Sequence, residues 1–436
     1  MFVLKDKIMI RGNKTIAAID VGTTKIVVVA GEKKEDGTFE ILGYGKACAK
    51  GIKRGVVLNI REAGESVREA VEQVEKMAGI KINEVYVNVI GRELKTYTKK
   101  AEKHLEEVRL ITKEDIKDLF HQTEEINIPE GYKVYHIEPQ LYQIDDEPGI
   151  SDPVDITGKD IQLEYKLLVA PEIYEKNLKL CIENAGLKVR KIVVDTLASS
   201  ELLLSDDEKE AGVALLDIGG GTTKIAVYHE GALCYSSLIP FGGNVVTRDI
   251  KSGCSILLRQ AEALKVQFGC ALGEFAPENG VVTVPGISGW DPKEISFKSL
   301  AMIIQARMEE IVEASFSYMQ KSGYLEKMGA GIVITGGGAL LKNLGQLIQF
   351  HTGLDVKKGI PRMRLNKKWE KLEDPRNATV MGLLEMILNE ESPVKKQNRE
   401  KNAAKKSSPG ILTHVKNQVT QQVLTFFSDG NDTEIN

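Results

Sequence analysis

The sequence has few of the residues that build metal centres and disulfide frameworks. It contains five cysteines, none in a Cys-x-x-Cys pair, and six histidines among 436 residues. Dispersed cysteines favour a reducing compartment over a secreted, disulfide-linked scaffold. No Cys/His cluster has the spacing of metal ligands, so the pattern argues against a structural zinc site.

Neither a dominant charge nor a long apolar run is present. Lysine and arginine total 58 and aspartate and glutamate 62, for a net charge of −4, which argues against a general attraction to nucleic acid. No run approaches the roughly 18 uncharged apolar residues of a membrane-spanning helix. The opening stretch, MFVLKDKIMIRGNK, carries charges within its short apolar part and lacks a small-residue cleavage site, which makes it a poor signal peptide.

The composition is otherwise that of a folded protein. Apolar residues make up 42% and charged residues 28% of the chain, which is typical of soluble globular domains. The length suffices for roughly two to four domains. Two short apolar runs, Ile16–Asp20 and Ile26–Gly31, flank a Gly/Thr turn and predict a β-hairpin. Apolar residues at helical spacing predict a helix over Ile60–Ala78.

Changes of pattern along the chain predict its domains. A first large domain spans residues 15–82 and resumes at 159–205, and a second spans 206–388. Between the two parts of the first domain, residues 83–158 predict a small inserted α+β module. Residues 389–410 are polar, contain prolines and predict a flexible linker.

Three glycine-bearing turns carry the candidate chemistry. Two of them join apolar strands and begin with an aspartate: Asp20–Lys25 (DVGTTK) and Asp217–Lys224 (DIGGGTTK). The third, Thr335–Ala339 (TGGGA), follows a strand and precedes a predicted helix, Leu340–Thr352. The first two share Asp-x-Gly and Thr-Thr-Lys-Ile, an internal echo that favours a shared role over two unrelated strand-joining turns.

These turns have the composition of an anion site. Glycine lets a phosphate approach the backbone N–H groups closely. Asp20 and Asp217, one on each hairpin, have the oxygen ligands to hold a hydrated Mg²⁺ from opposite sides, and the third turn is placed to pass beneath a nucleoside. No GxxxxGK[ST] P-loop occurs. The alternative is that each turn merely joins two strands.

The three turns in this order resemble the actin-like ATPase superfamily and, more narrowly, the FtsA family of bacterial cell-division proteins. The resemblance covers about residues 15–388. It implies an α/β, bilobed actin-like ATPase fold of two related α/β domains, with an inserted small α+β domain and a C-terminal amphipathic helix. It also implies that ATP and Mg²⁺ bind between the lobes. The stretches that carry it are Ala18–Gly31, Ile41–Asn59, Gly212–Val227, Pro240–Asp249 and Ile332–Leu341.

The resemblance also implies roles for single residues. The two hairpin turns would meet the phosphates, Asp20 and Asp217 would hold Mg²⁺ through water, and the third turn would flank the adenosine. Glu262 and Lys265 match a helix whose polar residues approach the ribose in relatives, although such a pair is also common on a solvated helix face. The implied cofactor-binding residues are Asp20, Gly22, Thr23, Thr24, Lys25, Asp217, Gly219, Gly220, Gly221, Thr222, Glu262, Lys265, Gly336, Gly337 and Gly338.

Two departures from the family pattern concern hydrolysis. Relatives often have aspartate after Gly-Gly-Gly-Thr-Thr, whereas this chain has Lys224. Relatives often carry Glu or Gln before the second turn to position water, and the corresponding stretch here offers Asp195. Because aspartate is shorter, we expect ATP binding with weak or absent ATPase activity.

Two surfaces are candidates for partner binding. In the FtsA family the inserted module contributes to self-association and to contacts with other division proteins; the alternative is an unrelated decorative insertion. In that family a helix like Ser299–Gln320 helps to receive the acidic C-terminal tail of FtsZ, which makes Arg307 and Glu310 candidate contacts. The alternative for Arg307 is a surface residue with no role.

The tail has the pattern of an amphipathic helix of about five turns. The side of this helix opposite its apolar residues consists of Thr, Asn and Gln. Residues 395–416, which lead into it, hold seven Lys or Arg against one Glu. Such a helix suits the surface of an anionic membrane, and the alternative is docking on a protein. The FtsA family carries a membrane anchor after a flexible linker. The candidate membrane residues are Ile411, Leu412, Val415, Val419, Val423, Leu424, Phe426 and Phe427.

Together these features predict an ATP-binding, self-associating division protein. It would tether FtsZ to the cytoplasmic face of the inner membrane and help to recruit later division proteins. The alternative is an actin-like ATPase of another kind, either chaperone-like or a small-molecule kinase. The inserted module and the amphipathic tail favour the first function.

Overall fold

A computed structural model of the chain describes residues 15–34, 39–89, 93–122, 128–286, 288–361 and 367–390. The strands are β1 Thr15–Val21, β2 Lys25–Lys33, β3 Phe39–Cys48, β4 Ile52–Lys53, β5 Val56–Val57, β6 Glu84–Val89, β7 Lys95–Leu110, β8 Tyr132–Ile144, β9 Glu147–Ile150, β10 Thr157–Pro171, β11 Lys188–Val194, β12 Val213–Ile218, β13 Thr223–His229, β14 Ala232–Ile239, β15 Val281–Val284, β16 Lys293–Ser296, β17 Ile332–Thr335 and β18 Val356–Lys358. The α-helices are α1 Ile60–Ala78, α2 Lys113–Gln122, α3 Glu172–Asn184, α4 Asp195–Leu203, α5 Asp206–Ala211, α6 Gly243–Cys254, α7 Leu258–Phe268, α8 Phe297–Lys321, α9 Leu344–Thr352 and α10 Ala378–Glu390.

The predicted hairpin lies at the centre of the first five-stranded sheet. The strand order is β11-β6-β1-β2-β3, with β1 and β3 antiparallel to β2 between them and β6 and β11 parallel to β1. All but the first residue of β1 are buried. Such continuous burial requires cover on both faces of the sheet, which explains why these strands are unbroken apolar runs.

Helices cover both faces of this sheet. One face packs against α1 and α3, whose buried residues include Val67, Val71 and Ile182. The helix α1 has the predicted bounds, begins at the cap residue Asn59 and ends at Gly79, which adopts φ 65°. The other face packs against α4 and α10.

The second five-stranded sheet repeats the first strand for strand. Its order is β14-β13-β12-β17-β18, with β12, β13 and β14 antiparallel and β17 and β18 parallel to β12. One of its faces packs against α6, α7, α8 and α9. The two sheets therefore have the same topology and form two related lobes, as the resemblance implied.

The last helix departs from the predicted domain division. Residues 206–388 were expected to form the second lobe alone, but α10 contributes Val380, Leu384 and Ile387 to the core beneath the first sheet. A Cβ at Gly382 would overlap the backbone of Ala198 in α4, so only glycine allows this close helix approach. The chain thus returns to the first lobe before residue 388.

The inserted module also has different bounds from the predicted 83–158. Strand β6 pairs with β1 and β11, so it belongs to the first lobe. Strand β10, predicted to resume the first lobe at residue 159, instead pairs with β7 and β8 along its length to Pro171. The order of the inserted sheet is β7-β10-β8-β9, and α2 packs against it through Leu119.

One predicted helix begins later than expected, and a short helix marks the boundary at residue 206. The helix predicted from Leu340 begins at Leu344, because residues 338–340 form a separate tight turn. The acidic stretch from Ser205 is a short helix, α5, whose capping box pairs Ser205 with Glu208.

Candidate functional site

The two hairpin turns have the same length and the same closing hydrogen bond. In the first hairpin the Gly22 amide donates to the Lys25 carbonyl oxygen at 3.1 Å. In the second the Gly219 amide donates to the Thr222 carbonyl oxygen at 2.9 Å. Each turn therefore has four residues between its last paired strand positions.

Because the two turns have equal lengths, the Thr-Thr-Lys residues of the two hairpins do not occupy equivalent positions. Opposite Asp20 on the neighbouring strand stands Val27, whereas opposite Asp217 stands Lys224. The structural counterpart of Lys224 is therefore Val27 and not Lys25. The Asp-x-Gly part of the repeat occupies equivalent positions, but the Thr-Thr-Lys part does not.

The two turns face each other across the gap between the lobes. A Cβ at Gly221 would overlap the side chain of Thr23, and a Cβ at Gly220 would overlap that of Thr24. These two glycines therefore allow an approach that side chains would prevent. The structure brings the first and second predicted turns together at one place.

A buried ammonium group lies behind the second turn. Lys224 Nζ is 2.6 Å from Asp195 Oδ2 and 2.9 Å from Asp217 Oδ2. All three residues are buried, and Lys224 is only 7% exposed. Although burial acts to lower it, Asp195 and Asp217 raise the pKa of Lys224 above its ordinary value. The lysine is therefore charged at neutral pH.

This ion pair bears on the predicted role of Asp195. The residue begins α4, and its other carboxylate oxygen accepts a hydrogen bond from the Thr196 amide at 2.8 Å. Burial raises the pKa of Asp195, and the Lys224 ammonium opposes that rise. Asp195 Oδ2 therefore faces the Lys224 ammonium as an ion pair but has no hydrogen-bond partner among the described residues. The role of Asp195 in positioning water stays a prediction.

The aspartate of the first hairpin has a different environment. Asp20 Oδ1 accepts a hydrogen bond from Asn88 Nδ2 at 3.0 Å, and Asn88 Oδ1 accepts one from the Val21 amide at 2.7 Å. Burial raises the pKa of Asp20 to about 6, against the opposing effects of Lys25 and Lys224. A neutral amide thus holds Asp20, whereas an ammonium holds Asp217.

Lys25 connects the first turn to the segment before α10. Its ammonium donates to the Arg376 carbonyl oxygen and, at 3.2 Å, to Asn377 Oδ1. Burial lowers the pKa of Lys25 to about 8. The contact places one candidate phosphate-binding cation beside the third glycine turn, because Gly336 donates its amide to the Pro375 carbonyl oxygen at 3.3 Å.

The third turn packs on the end of β12. Gly336 adopts φ 80°, and a Cβ there would overlap the Asp217 carboxylate. A Cβ at Gly338 would overlap the Ile218 side chain, whereas one at Gly337 would make only an ordinary contact with the Arg376 side chain. The Gly-Gly-Gly sequence is therefore required at two of its three positions by contact with the second hairpin.

Glu262 and Lys265 reach the site through α6. Lys265 Nζ is 2.7 Å from Glu262 Oε2, donates to Thr247 Oγ1 at 2.7 Å and donates to the Gly243 carbonyl oxygen at 3.0 Å. The Gly243 amide in turn donates to the Gly219 carbonyl oxygen at 2.9 Å. The pair is thus connected to the second turn through α6 and is not simply part of a solvated helix surface.

Arg307 and Glu310 lie on α8, and their contacts stay within the second lobe. Arg307 Nε donates to Asp249 Oδ2 on α6 at 2.5 Å, and its Nη1 contacts Glu310. Arg307 and Asp249 are each about one-third exposed. This arginine therefore already has two carboxylate partners within the chain.

The predicted magnesium site does not fit this arrangement. Asp217, one of its two proposed ligands, directs an oxygen at Lys224. Asp195, the other carboxylate at that ammonium, is engaged by it as well. Among the described residues no group of three His, Cys, Asp or Glu side chains is placed to hold a metal ion. We therefore assign no step to a metal held by these carboxylates.

The predicted linker 389–410 and the membrane helix 411–427 lie outside the described residues. Of the helices that the structure describes, none has the length and apolar character needed to cross a membrane.

Known proteins match this chain over most of its length. A model of the cell-division protein FtsA matches residues 214–382, and a model of the SHS2 domain inserted in FtsA matches residues 91–169. Cell division protein FtsA of Escherichia coli (strain K12) is 33% identical over 398 residues, which cover 88% of this chain and 94% of that protein. The chain belongs to the FtsA family of cell-division proteins. FtsA of Neisseria meningitidis serogroup B is 31% identical over 402 residues, 92% of this chain and 97% of that protein.

Solved structures agree on the architecture. The PilM–PilN type IV pilus biogenesis complex superposes with a TM-score of 0.56 at 13% identity, over 84% of this chain and 97% of that chain. MreB5 of Spiroplasma citri bound to AMPPNP superposes with a TM-score of 0.52 at 15% identity, over 89% and 99%. At such low identity these likenesses show the fold alone. The predicted bilobed, actin-like α/β fold with an inserted domain is confirmed.

Several residues of the site were missed by sequence reasoning. Asn88 on β6 and Asn377 before α10 are buried amides that hold Asp20 and Lys25. Lys224 was noted only as a departure from the family pattern. For Lys224 the available sequence signal was the turn length, which places this lysine opposite Asp217. Asn88 and Asn377 come from distant segments, and no local pattern points to them.

Proposed function

We propose that the chain binds ATP between its two hairpin turns. The observation that carries this proposal is the approach of Gly220 and Gly221 to Thr24 and Thr23, which brings the glycine backbone of the second turn against the threonine side chains of the first. Facing amides and hydroxyl groups are the donors that a polyphosphate needs. Lys25, whose ammonium lies on the Arg376 carbonyl oxygen beside the third turn, adds a positive charge.

The remaining contacts of the nucleotide follow from the second lobe. We place the adenosine against the third turn, residues 336–338, which packs directly on the end of β12. Glu262 and Lys265 would meet the ribose, and their bonds to α6 couple that contact to the second turn. Hydrolysis would be slow, because Asp195 is held by Lys224 and is not free to position water.

We infer that the protein acts in division as a membrane tether for FtsZ. Membership of the FtsA family supports a role in cell division. The amphipathic stretch 411–427, which follows a basic segment, supports binding to the cytoplasmic face of the inner membrane. The inserted domain offers a surface for self-association and for later division proteins, and ATP would favour the assembling conformation.

Liposome co-sedimentation tests the tether. The full chain and a truncation after Asn389 are compared on anionic vesicles, with and without Mg·ATP and FtsZ. We expect the full chain to pellet, the truncation to stay in the supernatant, and FtsZ to pellet only with the full chain. If the full chain also stays in solution, residues 411–427 dock on a protein and the tether proposal fails.

Arg307 gives the proposal of FtsZ binding a residue-level test. An acidic peptide would have to exchange places with Asp249, which now holds the guanidinium. We expect Arg307→Glu to weaken binding of an FtsZ tail peptide about tenfold, since it removes a charge-assisted fork and adds repulsion. Arg259→Glu on α7 is the exposed control; equal affinity of both variants would remove Arg307 from the interface.

A further inference from the structure

We propose that Lys224 is a built-in cation that takes over part of the charge that Mg²⁺ would supply, so that ATP binds with little dependence on the metal. This inference rests on the proposed ATP site. Lys224 Nζ contacts Asp195 at 2.6 Å and Asp217 at 2.9 Å. These carboxylates come from the start of α4 and the end of β12.

The position of the ammonium follows from strand pairing. Lys224 lies directly opposite Asp217 in the β12–β13 ladder, and the side chains of such a pair point to the same face of the sheet. The equivalent pair in the first hairpin is Asp20 with Val27, which has no charge to offer. The second hairpin therefore has a fixed cation at a position where the first hairpin has an uncharged side chain.

The charges around the phosphate turns show what this cation changes. Asp20, Asp195 and Asp217 are three buried carboxylates near one gap, each at most 7% exposed. Without a cation they would repel the phosphates of ATP in a region of low dielectric constant. A hydrated Mg²⁺ would relieve this repulsion, but here an ammonium already lies on two of the three carboxylates.

Lys224 is also secured in place. It is 7% exposed, and its strand is buried from Thr223 to Tyr228. Its neighbours raise its pKa, so it keeps its proton at any physiological pH. Unlike a bound metal ion, this charge neither dissociates nor depends on the magnesium concentration.

The test measures the affinity of the full chain for ATP by displacement of a fluorescent ATP analogue, in millimolar Mg²⁺ and in EDTA. For the unaltered chain we expect the two dissociation constants to agree within about threefold. For Lys224→Met we expect the ratio of EDTA to Mg²⁺ values to rise about tenfold or more, because the freed carboxylates repel ATP unless a metal neutralises them.

Lys166→Met is the matched control. Lys166 in β10 is also a buried lysine, it is 2.7 Å from Glu164 Oε1, and its side chain is 8% exposed like that of Lys224. Lys166→Met shows the effect of removing a buried lysine away from the proposed ATP site. We expect its ratio of dissociation constants in EDTA and in Mg²⁺ to equal that of the unaltered chain. If Lys224→Met fails to fold, Lys224→Gln removes the charge but keeps a hydrogen-bond donor for Asp195 and Asp217, and it is expected to raise the ratio as well.

The outcomes separate the two proposals. If the unaltered chain binds ATP only with Mg²⁺, or if Lys224→Met weakens binding equally in both buffers, the inference about Lys224 is overturned while the ATP site stands. If the unaltered chain binds ATP in neither buffer, the proposed ATP site itself is wrong.

Discussion

The two hairpins of this protein share a backbone but differ in electrostatics. Both carry an aspartate at the end of a buried strand and a four-residue turn closed by the same hydrogen bond. In the first, a neutral amide of Asn88 holds Asp20. In the second, the ammonium of Lys224 holds Asp217. Duplicated folds can thus keep one geometry while they divide the chemistry between the copies.

The largest expected effect tests the two lysines against each other. In Lys224→Met, Asp195 and Asp217 lose their buried counter-charge, so we expect the free energy of unfolding to fall by about 3 kcal/mol. In Lys25→Met no ion pair within the described part of the chain is lost, because Lys25 contacts a carbonyl and an amide oxygen, and we expect a change of less than about 1 kcal/mol. Urea unfolding at pH 7 without nucleotide measures both. Equal losses would show that the two hairpins are electrostatically alike.

The two aspartates are expected to respond in opposite directions. The pKa of Asp20 is about 6 in the folded state and near 3.8 for an ordinary carboxyl. The folded state therefore binds the proton more tightly than the unfolded state. The free energy of unfolding is highest below pH 4, where Asp20 is neutral in both states, and it falls as the pH rises through 6, where Asp20 becomes charged in the folded state. We expect Asp20→Asn to stabilise the nucleotide-free chain by about 2 kcal/mol at pH 7.5, whereas Asp217→Asn destabilises it.

Unfolding curves recorded between pH 4 and pH 7.5 check this difference. The stabilisation by Asp20→Asn should shrink as the pH falls, because the carboxyl of the unaltered chain becomes neutral as well. A gain that stays constant over this range would contradict the raised pKa of Asp20.

The approach of the turns gives an effect of intermediate size on ATP binding. Gly221→Ala would force the Thr23 side chain away and widen the gap between the lobes. We expect ATP affinity to fall about tenfold, or about 1.4 kcal/mol. Gly345→Ala, where the added methyl meets only ordinary contact with Val356, is the control in the same titration. Equal affinities would mean that the turns need not approach closely.

The smallest expected effect concerns the cation of the first hairpin. Because the pKa of Lys25 is lowered to about 8, the lysine loses its charge as the pH rises through that value. We expect ATP affinity to fall a few-fold between pH 7 and pH 9, since one phosphate-binding charge is lost. A Lys25→Met variant should show a flat profile over this range; a parallel decline in both would assign the titration to another group.

Local patterns were sufficient to predict much of the fold. The apolar runs around the first turn, the helical spacing in α1 and the glycine turns all act over a few residues, and the structure has these elements. The limits of the inserted domain were missed, because strand pairing decides whether β6 and β10 belong to it. The packing of α10 on the first lobe was missed because it depends on contacts with α4 and the first sheet, which lie far from α10 in the sequence.

The candidate site was predicted as a set of turns but not as a network. Its glycines and aspartates follow from motif and spacing alone. The role of Lys224 depends on the pairing register of its strand. The shared Thr-Thr-Lys sequence aligns Lys224 with Lys25, whereas its structural equivalent is Val27. Asn88 and Asn377 depend on contacts across 68 and 352 residues of chain, and no local pattern encodes such contacts.

Hydrogen exchange with and without ATP tests the central claim most directly. If one nucleotide lies between the lobes, amides in both turns, residues 22–25 and 219–222, should become protected together at the same ATP concentration. Protection of one turn alone, or of neither, would contradict a site shared by the two hairpins.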